Sequence, residues 1–165
     1  MDDSRIAVAQ RRERTIWTRI HPPFAFAQLA VCVVSVILLG FFFAGQISYK
    51  VVHLSALLKI ALMAGAVVTG SLWERAVYGY WWFAPQFFLE DLLTYVVALF
   101  QIGYLLVYYH SPDNLAANVA VLIVSYLAYV VNVTQYVLKH ASARRAMVLV
   151  REQPPHVERR GRSGR

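Results

Sequence analysis

Three carboxylates stand at the two ends of an aromatic segment in the middle of this chain. Glu74 closes one long apolar run, and Glu90 and Asp91 open the next. A carboxyl group at membrane depth costs about 2.5 to 3.5 kcal/mol, so such residues usually face a bundle interior and serve a function. A dehydrated carboxyl group also keeps its proton more readily, above all beside a second carboxylate. We predict that Glu74, Glu90 and Asp91 are catalytic, with one as proton donor and another as general base.

A second role for two of these carboxylates stays open. Glu90 and Asp91 lie at the predicted start of a helix, where acidic side chains cap free N–H groups and interact favourably with the helix dipole. Glu74 lies near a helix C-terminus, where a negative charge is disfavoured, and this favours a functional role for it. We expect Glu74 and Glu90 to meet across the connection between the two runs.

That connection, residues 78–88, is aromatic and contains no Lys or Arg. An ordinary solvated loop would be polar, whereas Trp and Tyr favour the headgroup level of a membrane. Flat side chains of this kind also stack against a large planar ring. Each aromatic residue can serve equally as part of an interfacial belt. The predicted substrate-binding residues in this segment are Tyr78, Trp81, Trp82, Phe83, Phe87 and Phe88.

Polar residues recur at helical spacing in the apolar runs. Thr94 lies four residues after Glu90, Asn132 and Gln135 lie three residues apart in the last run, and Gln28 lies in the first. Interhelical hydrogen bonds between such residues are a common structural contact, which is the simpler interpretation of each one alone. Because four polar faces converge beside the carboxylates, we predict that these residues also bind substrate.

No residue pattern indicates a metal or a redox cofactor. The five histidines are scattered without metal-ligand spacing, and Cys32 is the single cysteine. The sequence contains no glycine-rich nucleotide loop. We therefore predict no metal site and no cofactor. Lys59 lies near the outer end of the second apolar run, and we expect its side chain to extend to the membrane surface.

Composition points to a membrane protein. Apolar residues make up 59% of the 165 residues and charged residues 15%, and the apolar residues form long runs. These runs predict an all-α fold, a polytopic membrane protein with four transmembrane helices in a bundle. The predicted spans are 24–43, 54–78, 89–109 and 115–138.

The regions outside the spans are basic. Residues 1–23 form a basic N-terminal segment with a short interfacial helix, and His21-Pro22-Pro23 is expected to break any helix before the first span. Residues 24–138 form the transmembrane domain. Residues 139–165 are rich in Arg, Pro and Gly, which predicts a disordered basic tail.

The distribution of charge orients the bundle. Five of the 16 Lys and Arg residues precede Ile20, and eight lie from Lys139 onward. Basic termini that flank apolar runs follow the positive-inside rule, so both termini are predicted to be cytoplasmic. The connection at 78–88 then also faces the cytoplasm. The net charge of +7 therefore predicts contact with membrane lipid and no binding of nucleic acid.

Residues 73–91 read W-E-R-A-V-Y-G-Y-W-W-F-A-P-Q-F-F-L-E-D. This segment resembles the signature W-E-[KR]-x-V-[FY]-G-x-x-x-F-A-P-x-F-F-x-E-D of the vinyl bacteriochlorophyllide hydratases. The similarity extends from Trp17-Thr18 through Lys59 to Y-V-V-N-V-T-Q-Y-V-L-K at 129–139. Members of that family are small polytopic membrane enzymes of bacteriochlorophyll synthesis, which convert the ring vinyl group of a chlorophyllide to a 1-hydroxyethyl group.

The resemblance implies a hydro-lyase of the bacterial inner, photosynthetic membrane, with its site near the cytoplasmic face. Its substrate would be a chlorophyllide, a magnesium tetrapyrrole, and association with other bacteriochlorophyll-synthesis enzymes is a further implication. The reaction would begin with protonation of the vinyl group by a carboxylic acid, and water would then add. The alternatives are a non-enzymatic tetrapyrrole-binding or assembly subunit of the photosynthetic membrane, and an enzyme that modifies quinone or lipid.

Overall fold

The described part of the chain is helical. The computed structural model describes residues 3–152, and within this range it contains α-helices and no strand. The helices are α1 (Asp3–Arg14), α2 (Trp17–Phe43), α3 (Tyr49–Tyr78), α4 (Phe88–His110) and α5 (Leu115–Glu152). The prediction of an all-α fold is confirmed for these residues.

Four helices are long and apolar enough to cross a membrane, namely α2, α3, α4 and the Leu115–Lys139 part of α5. Their outer faces carry exposed apolar side chains such as Phe26 and Leu127, whereas Lys59 and Gln101 are buried between them. Apolar side chains on the exterior and several polar ones in the interior are the reverse of the usual water-soluble pattern and suit a lipid environment. Comparison of the residue bounds shows that each of the four predicted spans lies within one of these helices.

The long helices form two antiparallel pairs, α2 with α3 and α4 with α5. The first pair packs closely at a glycine, because a Cβ atom on Gly65 would lie 2.4 Å from the Phe24 ring. An internal cluster then joins the two pairs, with one residue from each helix: Cys32, Met63, Val97 and Tyr129.

Hydrogen bonds show which helix ends meet. Trp73 Nε1 donates to Thr18 Oγ1 over 3.0 Å, and Lys139 Nζ donates to the Gln86 carbonyl over 2.9 Å. The start of α2, the end of α3, the start of α4 and the end of the α5 span thus lie together. Helix α1 reaches the same place, since the Arg12 guanidinium lies 5.3 Å from the centre of the Trp73 ring. We call this end of the bundle, marked by Trp73, Gln86 and Lys139, the connection end.

The prediction that Pro22 and Pro23 break the chain before the first span is wrong. Helix α2 begins at Trp17 and runs through both prolines. A proline lacks the N–H that would bond the carbonyl four residues earlier, so the loss falls on Thr18 and Arg19. Because these carbonyls belong to the first turn, the long helix that follows is not interrupted.

The second span starts earlier than the sequence predicts. Helix α3 begins at Tyr49 rather than at residue 54, so His53 belongs to the helix. The buried His53 Nδ1 lies 2.7 Å from the Tyr104 hydroxyl, and its ring stacks on Tyr108 with a centroid separation of 3.5 Å. These contacts give the first turns of α3 an interhelical partner that their polar composition does not reveal.

Helix α5 continues well beyond the fourth span. We predict a disordered tail from Lys139, but the helix extends to Glu152. Residues 139–152 contain several Ala and Arg residues and neither Gly nor Pro, a composition that favours a helix. The remainder of the predicted tail, 153–165, lies outside the described residues.

Lys59 lies inside the bundle, and the expectation that its side chain reaches the membrane surface is wrong. Only 1% of the residue is exposed. Its Nζ lies 3.9 Å from the centre of the Tyr129 ring and 5.5 Å from the centre of the Tyr126 ring. The electron-rich faces of these rings partly replace water around the ammonium group. The lysine therefore connects α3 with α5.

Replacing Gly65 by Ala should destabilise the pair formed by α2 and α3. The added methyl group would meet the Phe24 ring at 2.4 Å, so the ring must move. We expect the free energy of unfolding to fall by about 1 to 3 kcal/mol, the usual cost of overpacking. Thermal unfolding in detergent micelles measures the loss. Gly103→Ala is the matched control because its Cβ would meet nothing within 4 Å; equal effects would contradict this packing.

Chemical labelling tests the position of Lys59. In a Cys32→Ala background, Lys59→Cys should resist a water-soluble maleimide in the folded protein, because the bundle encloses this position. Lys50→Cys, at an exposed position, is the control and should react rapidly. Both variants should react equally once the protein is unfolded in SDS. Rapid labelling of position 59 before unfolding would show that its side chain faces water.

Candidate active site

Two carboxyl groups meet where α3 ends and α4 begins. Glu74 lies one turn before the end of α3 and is 6% exposed. Asp91 lies in the first turn of α4. The two carboxyl groups lie within hydrogen-bonding reach of each other. Because a carboxylate has only acceptor atoms, a hydrogen bond between them requires one proton held between the two groups. We call Glu74 and Asp91 the carboxyl pair.

The backbone of the connection is bound to this pair. The Ala84 N–H donates to Glu74 Oε2 over 3.3 Å, and the Phe83 N–H donates to Asp91 Oδ2 over 2.8 Å. Phe83 has a φ of 55°, which costs about 1 to 3 kcal/mol for a residue other than glycine. Two hydrogen bonds to partly or fully buried acceptors offset that cost, so the connection and the carboxyl pair stabilise each other.

Gly79 lets the chain turn back toward the pair. Its φ of 84° lies in the left-handed region, and its N–H donates to the Arg75 carbonyl over 3.2 Å. The Arg75 guanidinium donates in return to the Gly79 carbonyl over 2.6 Å. Helix α3 therefore ends abruptly after Tyr78, and the connection folds over the carboxyl pair.

Tyr95 is a further neighbour of the carboxyl pair and is not among the predicted site residues. It lies one helical turn after Asp91 and close to Ser71, which precedes Glu74 by one turn. The phenol group lies close enough to both carboxyl groups to interact with them electrostatically. The spacing of four residues between Asp91 and Tyr95 places them on one helix face. This spacing is the feature of the sequence from which the position of Tyr95 could be predicted.

Glu90 points toward α5 rather than toward Glu74. Its carboxylate forms a salt bridge with Lys139, which also donates to the Gln86 carbonyl. Successive residues of an α-helix point about 100° apart, so Glu90 and Asp91 face different neighbours. Asp91 is therefore the carboxyl partner of Glu74 across the connection, and Glu90 acts on Glu74 only electrostatically.

Neither acidic residue acts as a hydrogen-bonding cap of α4. The N-cap position is Phe87, which provides no side-chain cap. Glu90 and Asp91 are the third and fourth residues of the helix, so their side chains extend to neighbouring elements. The alternative that Glu90 and Asp91 cap the start of α4 through hydrogen bonds is therefore not what the structure shows.

The predicted aromatic residues separate into two groups. Tyr78 and Phe87 pack edge-on against Trp73, with ring centroids 5.6 to 5.7 Å apart, and close the connection end from within. The outward aromatic group faces away from the bundle, with exposed fractions of 39 to 54%. This group consists of Trp81, Trp82, Phe83 and Phe88.

Three of the predicted polar residues lie between α4 and α5. Asn132 Nδ2 donates to Thr94 Oγ1 over 3.2 Å, one helical turn from Glu90. Gln135 lies beside Lys139 in a cavity that opens on this side of α4. These residues therefore adjoin Glu90 and Lys139 rather than the carboxyl pair itself.

Gln28 lies deeper in the bundle. Its Nε2 donates to the Met63 sulfur over 2.8 Å, and the residue is buried. Met63 precedes Glu74 by 11 residues, about 16 Å along α3 at 1.5 Å per residue. The structure thus gives Gln28 an interhelical contact and does not bring it to the carboxyl pair.

Within residues 3–152, no group of three His, Cys, Asp or Glu side chains is arranged to hold a metal ion. The groups that surround the pair are carboxyl, backbone N–H and phenol. A carboxyl pair with one buried and one half-buried member can, when it holds a proton, protonate a carbon atom and later accept a proton from water. This geometry suits general acid–base chemistry on a flat apolar substrate.

Comparison with known proteins identifies the family. A family model described as 2-vinyl bacteriochlorophyllide hydratase matches residues 7–142. A relative of that name from Rhodobacter capsulatus is 35% identical over 136 residues, which cover 81% of this chain and 78% of the relative. Another, from Cereibacter sphaeroides, is 33% identical over 135 residues, which cover 81% and 83%. No solved structure matches the chain. The chain therefore belongs to the 2-vinyl bacteriochlorophyllide hydratase family.

Proposed function

We propose that this enzyme, a hydro-lyase of bacteriochlorophyll synthesis, adds water to the ring vinyl group of a chlorophyllide, with the carboxyl pair as its acid and base. Membership of the hydratase family supports the reaction. The close contact between the Glu74 and Asp91 carboxyl groups carries the mechanism. Protonation of a vinyl carbon needs an acid that is still protonated near neutral pH, and two adjacent carboxyl groups partly shielded from water supply one.

Glu74 is the proton donor in this proposal, and Asp91 is the base. The short bond from the Phe83 N–H stabilises a negative charge on Asp91, whereas Glu74 accepts a longer one and is almost fully buried. Glu74 therefore holds the proton in the resting pair. Glu90 has the role of fixing Lys139, because its carboxylate is engaged in that salt bridge.

Hydration proceeds in two steps. The Glu74 carboxyl group transfers its proton to the terminal vinyl carbon, where the π electrons form the new C–H bond. The carbon attached to the macrocycle becomes a cation, which the ring system delocalises. A water molecule attacks this carbon while Asp91 accepts a proton from the water. That proton passes to Glu74 through their hydrogen bond, so the pair is restored and one water molecule has been added without any oxidant or reductant.

The outward aromatic group provides a wall for the macrocycle in this mechanism. Its exposed rings can stack against a planar tetrapyrrole, and aromatic side chains of this kind are favoured at the membrane surface. A chlorophyllide is itself amphipathic and collects at that surface. Tyr78 and Phe87 support the wall through their contacts with Trp73.

We place the connection end at the cytoplasmic face of the bacterial inner membrane, with both termini on that side. Helix α1 and the end of the α5 span lie at this end of the bundle, and both regions are basic. Cytoplasmic segments carry the excess of Lys and Arg in membrane proteins, which supports this orientation. The carboxyl pair then opens toward a substrate that arrives from the cytoplasmic leaflet.

Removing either member of the pair should abolish most of the activity. Glu74→Gln has no acid to donate and Asp91→Asn has no base, so kcat for hydration should fall by about 100-fold or more. Purified variants incubated with chlorophyllide report turnover through the blue shift of the red absorption band and the added mass of water. Asp113→Asn, in an exposed turn at the opposite end, is the matched control. Full turnover by a correctly inserted Glu74→Gln variant would refute the assignment.

Reporter fusions should establish the orientation. A green fluorescent protein fused after Arg165 should fluoresce, and alkaline phosphatase at the same point should be inactive, because the first folds in the cytoplasm and the second requires the periplasm. Fusions truncated after Gly45, in the turn between α2 and α3, should give the opposite result. Active phosphatase at the C-terminal fusion would place the connection end on the periplasmic face.

A further inference from the structure

Lys139 has no role in the proposed hydration steps. Its Nζ bonds the Gln86 carbonyl and the Glu90 carboxylate, and its side chain is still 47% exposed. An ammonium group has three N–H donors, so these two bonds leave one donor free. Lys139 also lines a cavity of about 400 Å³ together with Phe88, Glu90 and Gln135. A fixed cation with a spare donor thus faces an open cavity.

Gln135 adds a second polar group to the same cavity. Its Oε1 is buried and has no hydrogen-bond partner among the described residues. A rotation of the terminal amide would present its two N–H donors instead, without moving the rest of the side chain. An ammonium donor and an amide donor side by side are suited to a carboxylate, which offers two acceptor oxygens.

An aromatic path links this cavity to the carboxyl pair. The Phe83 N–H is bound to Asp91, the Phe83 and Phe88 rings lie 5.6 Å apart, and Phe88 lines the cavity. Lys139 also lies close enough to Asp91 to act on it electrostatically. A rigid flat molecule lying across these two rings can therefore reach the carboxyl pair at one edge and Lys139 at another.

We propose that Lys139 and Gln135 bind the free propionate of the chlorophyllide while its vinyl group lies at the carboxyl pair. This inference rests on the proposed function. In a chlorophyllide, the pyrrole ring that carries the propionate is joined by one methine bridge to the ring that carries the vinyl group, so both groups project from the same half of the rim, separated by the bridge and a methyl group on either side of it. A carboxylate at the membrane surface also needs a positive partner, because leaving it unpaired and partly dehydrated is costly. Glu90 holds the ammonium group in place over the cavity.

The test compares the free acid with its propionate methyl ester as substrates of the full-length enzyme. The wild type should show a KM about tenfold or more lower for the acid, since a hydrogen bond to a charged group is lost in the ester. Lys139→Met should raise the KM for the acid to that for the ester, leave the ester unaffected and change kcat little. Lys139→Arg should keep the preference for the acid. Lys50→Met, an exposed lysine at the opposite end, is the matched control and should behave as the wild type.

The possible results of this comparison lead to different conclusions about the inference and about the proposed function. Equal KM values for acid and ester in the wild type would overturn the inference even if Lys139→Met failed to fold, and so would a variant that weakens both substrates equally. In either case hydration itself would still occur, and the proposed function would stand. A wild-type enzyme that hydrates neither substrate would overturn the proposed function and this inference with it.

Discussion

The contact between the carboxyl groups of Glu74 and Asp91 is the constraint on which the candidate site depends most. Together with the two N–H bonds from the connection, it holds the adjoining ends of α3 and α4, while His53 joins the same two helices at the opposite end. Without the shared proton, two negative charges would face each other in a poorly hydrated place, which is strongly unfavourable. The proton that stabilises the contact is also the one the proposed reaction transfers. In the proposed mechanism, the contact between the helices and the reaction therefore require the same protonation state.

The interior of the bundle explains how that contact is held at a fixed position. Burial of apolar side chains drives little helix association in lipid, because the surrounding chains are equally apolar. Directional contacts between polar residues decide the arrangement instead. Asn132 bonds Thr94 across α4 and α5, and Lys59 lies over Tyr129 across α3 and α5. Such contacts set the rotation of each helix about its axis, and thereby which side chains face the carboxyl pair.

The connection combines a strained backbone with an exposed aromatic surface. Phe83 accepts an unfavourable φ, and in return its N–H bonds Asp91 while its ring lies beside Phe88. The backbone hydrogen bonds give the loop a single arrangement, although its side chains face the membrane surface. An aromatic surface attached in this way stays at a fixed distance from the carboxyl pair. A flexible loop of the same composition would bind a flat ring without positioning it.

The sequence alone determines the fold class, the number of spans and the family of this protein. The number of spans and their approximate positions follow from the length of the apolar runs, since a bilayer imposes a minimum length on each helix separately. Residues 73–91 likewise indicate the family and contain the three carboxylates Glu74, Glu90 and Asp91. Both kinds of information lie in short, continuous segments and need no knowledge of the partners.

Only the tertiary structure decided the partners. It paired Glu74 with Asp91, joined Glu90 to a lysine 49 residues away, and enclosed Lys59 between tyrosines of another helix. It also showed that α2 passes through its prolines and that Gln28 lies far from the carboxyl pair. The physical reason is that periodicity gives the face of a residue relative to its own helix. The neighbour on that face depends on how distant helices rotate and pack against each other.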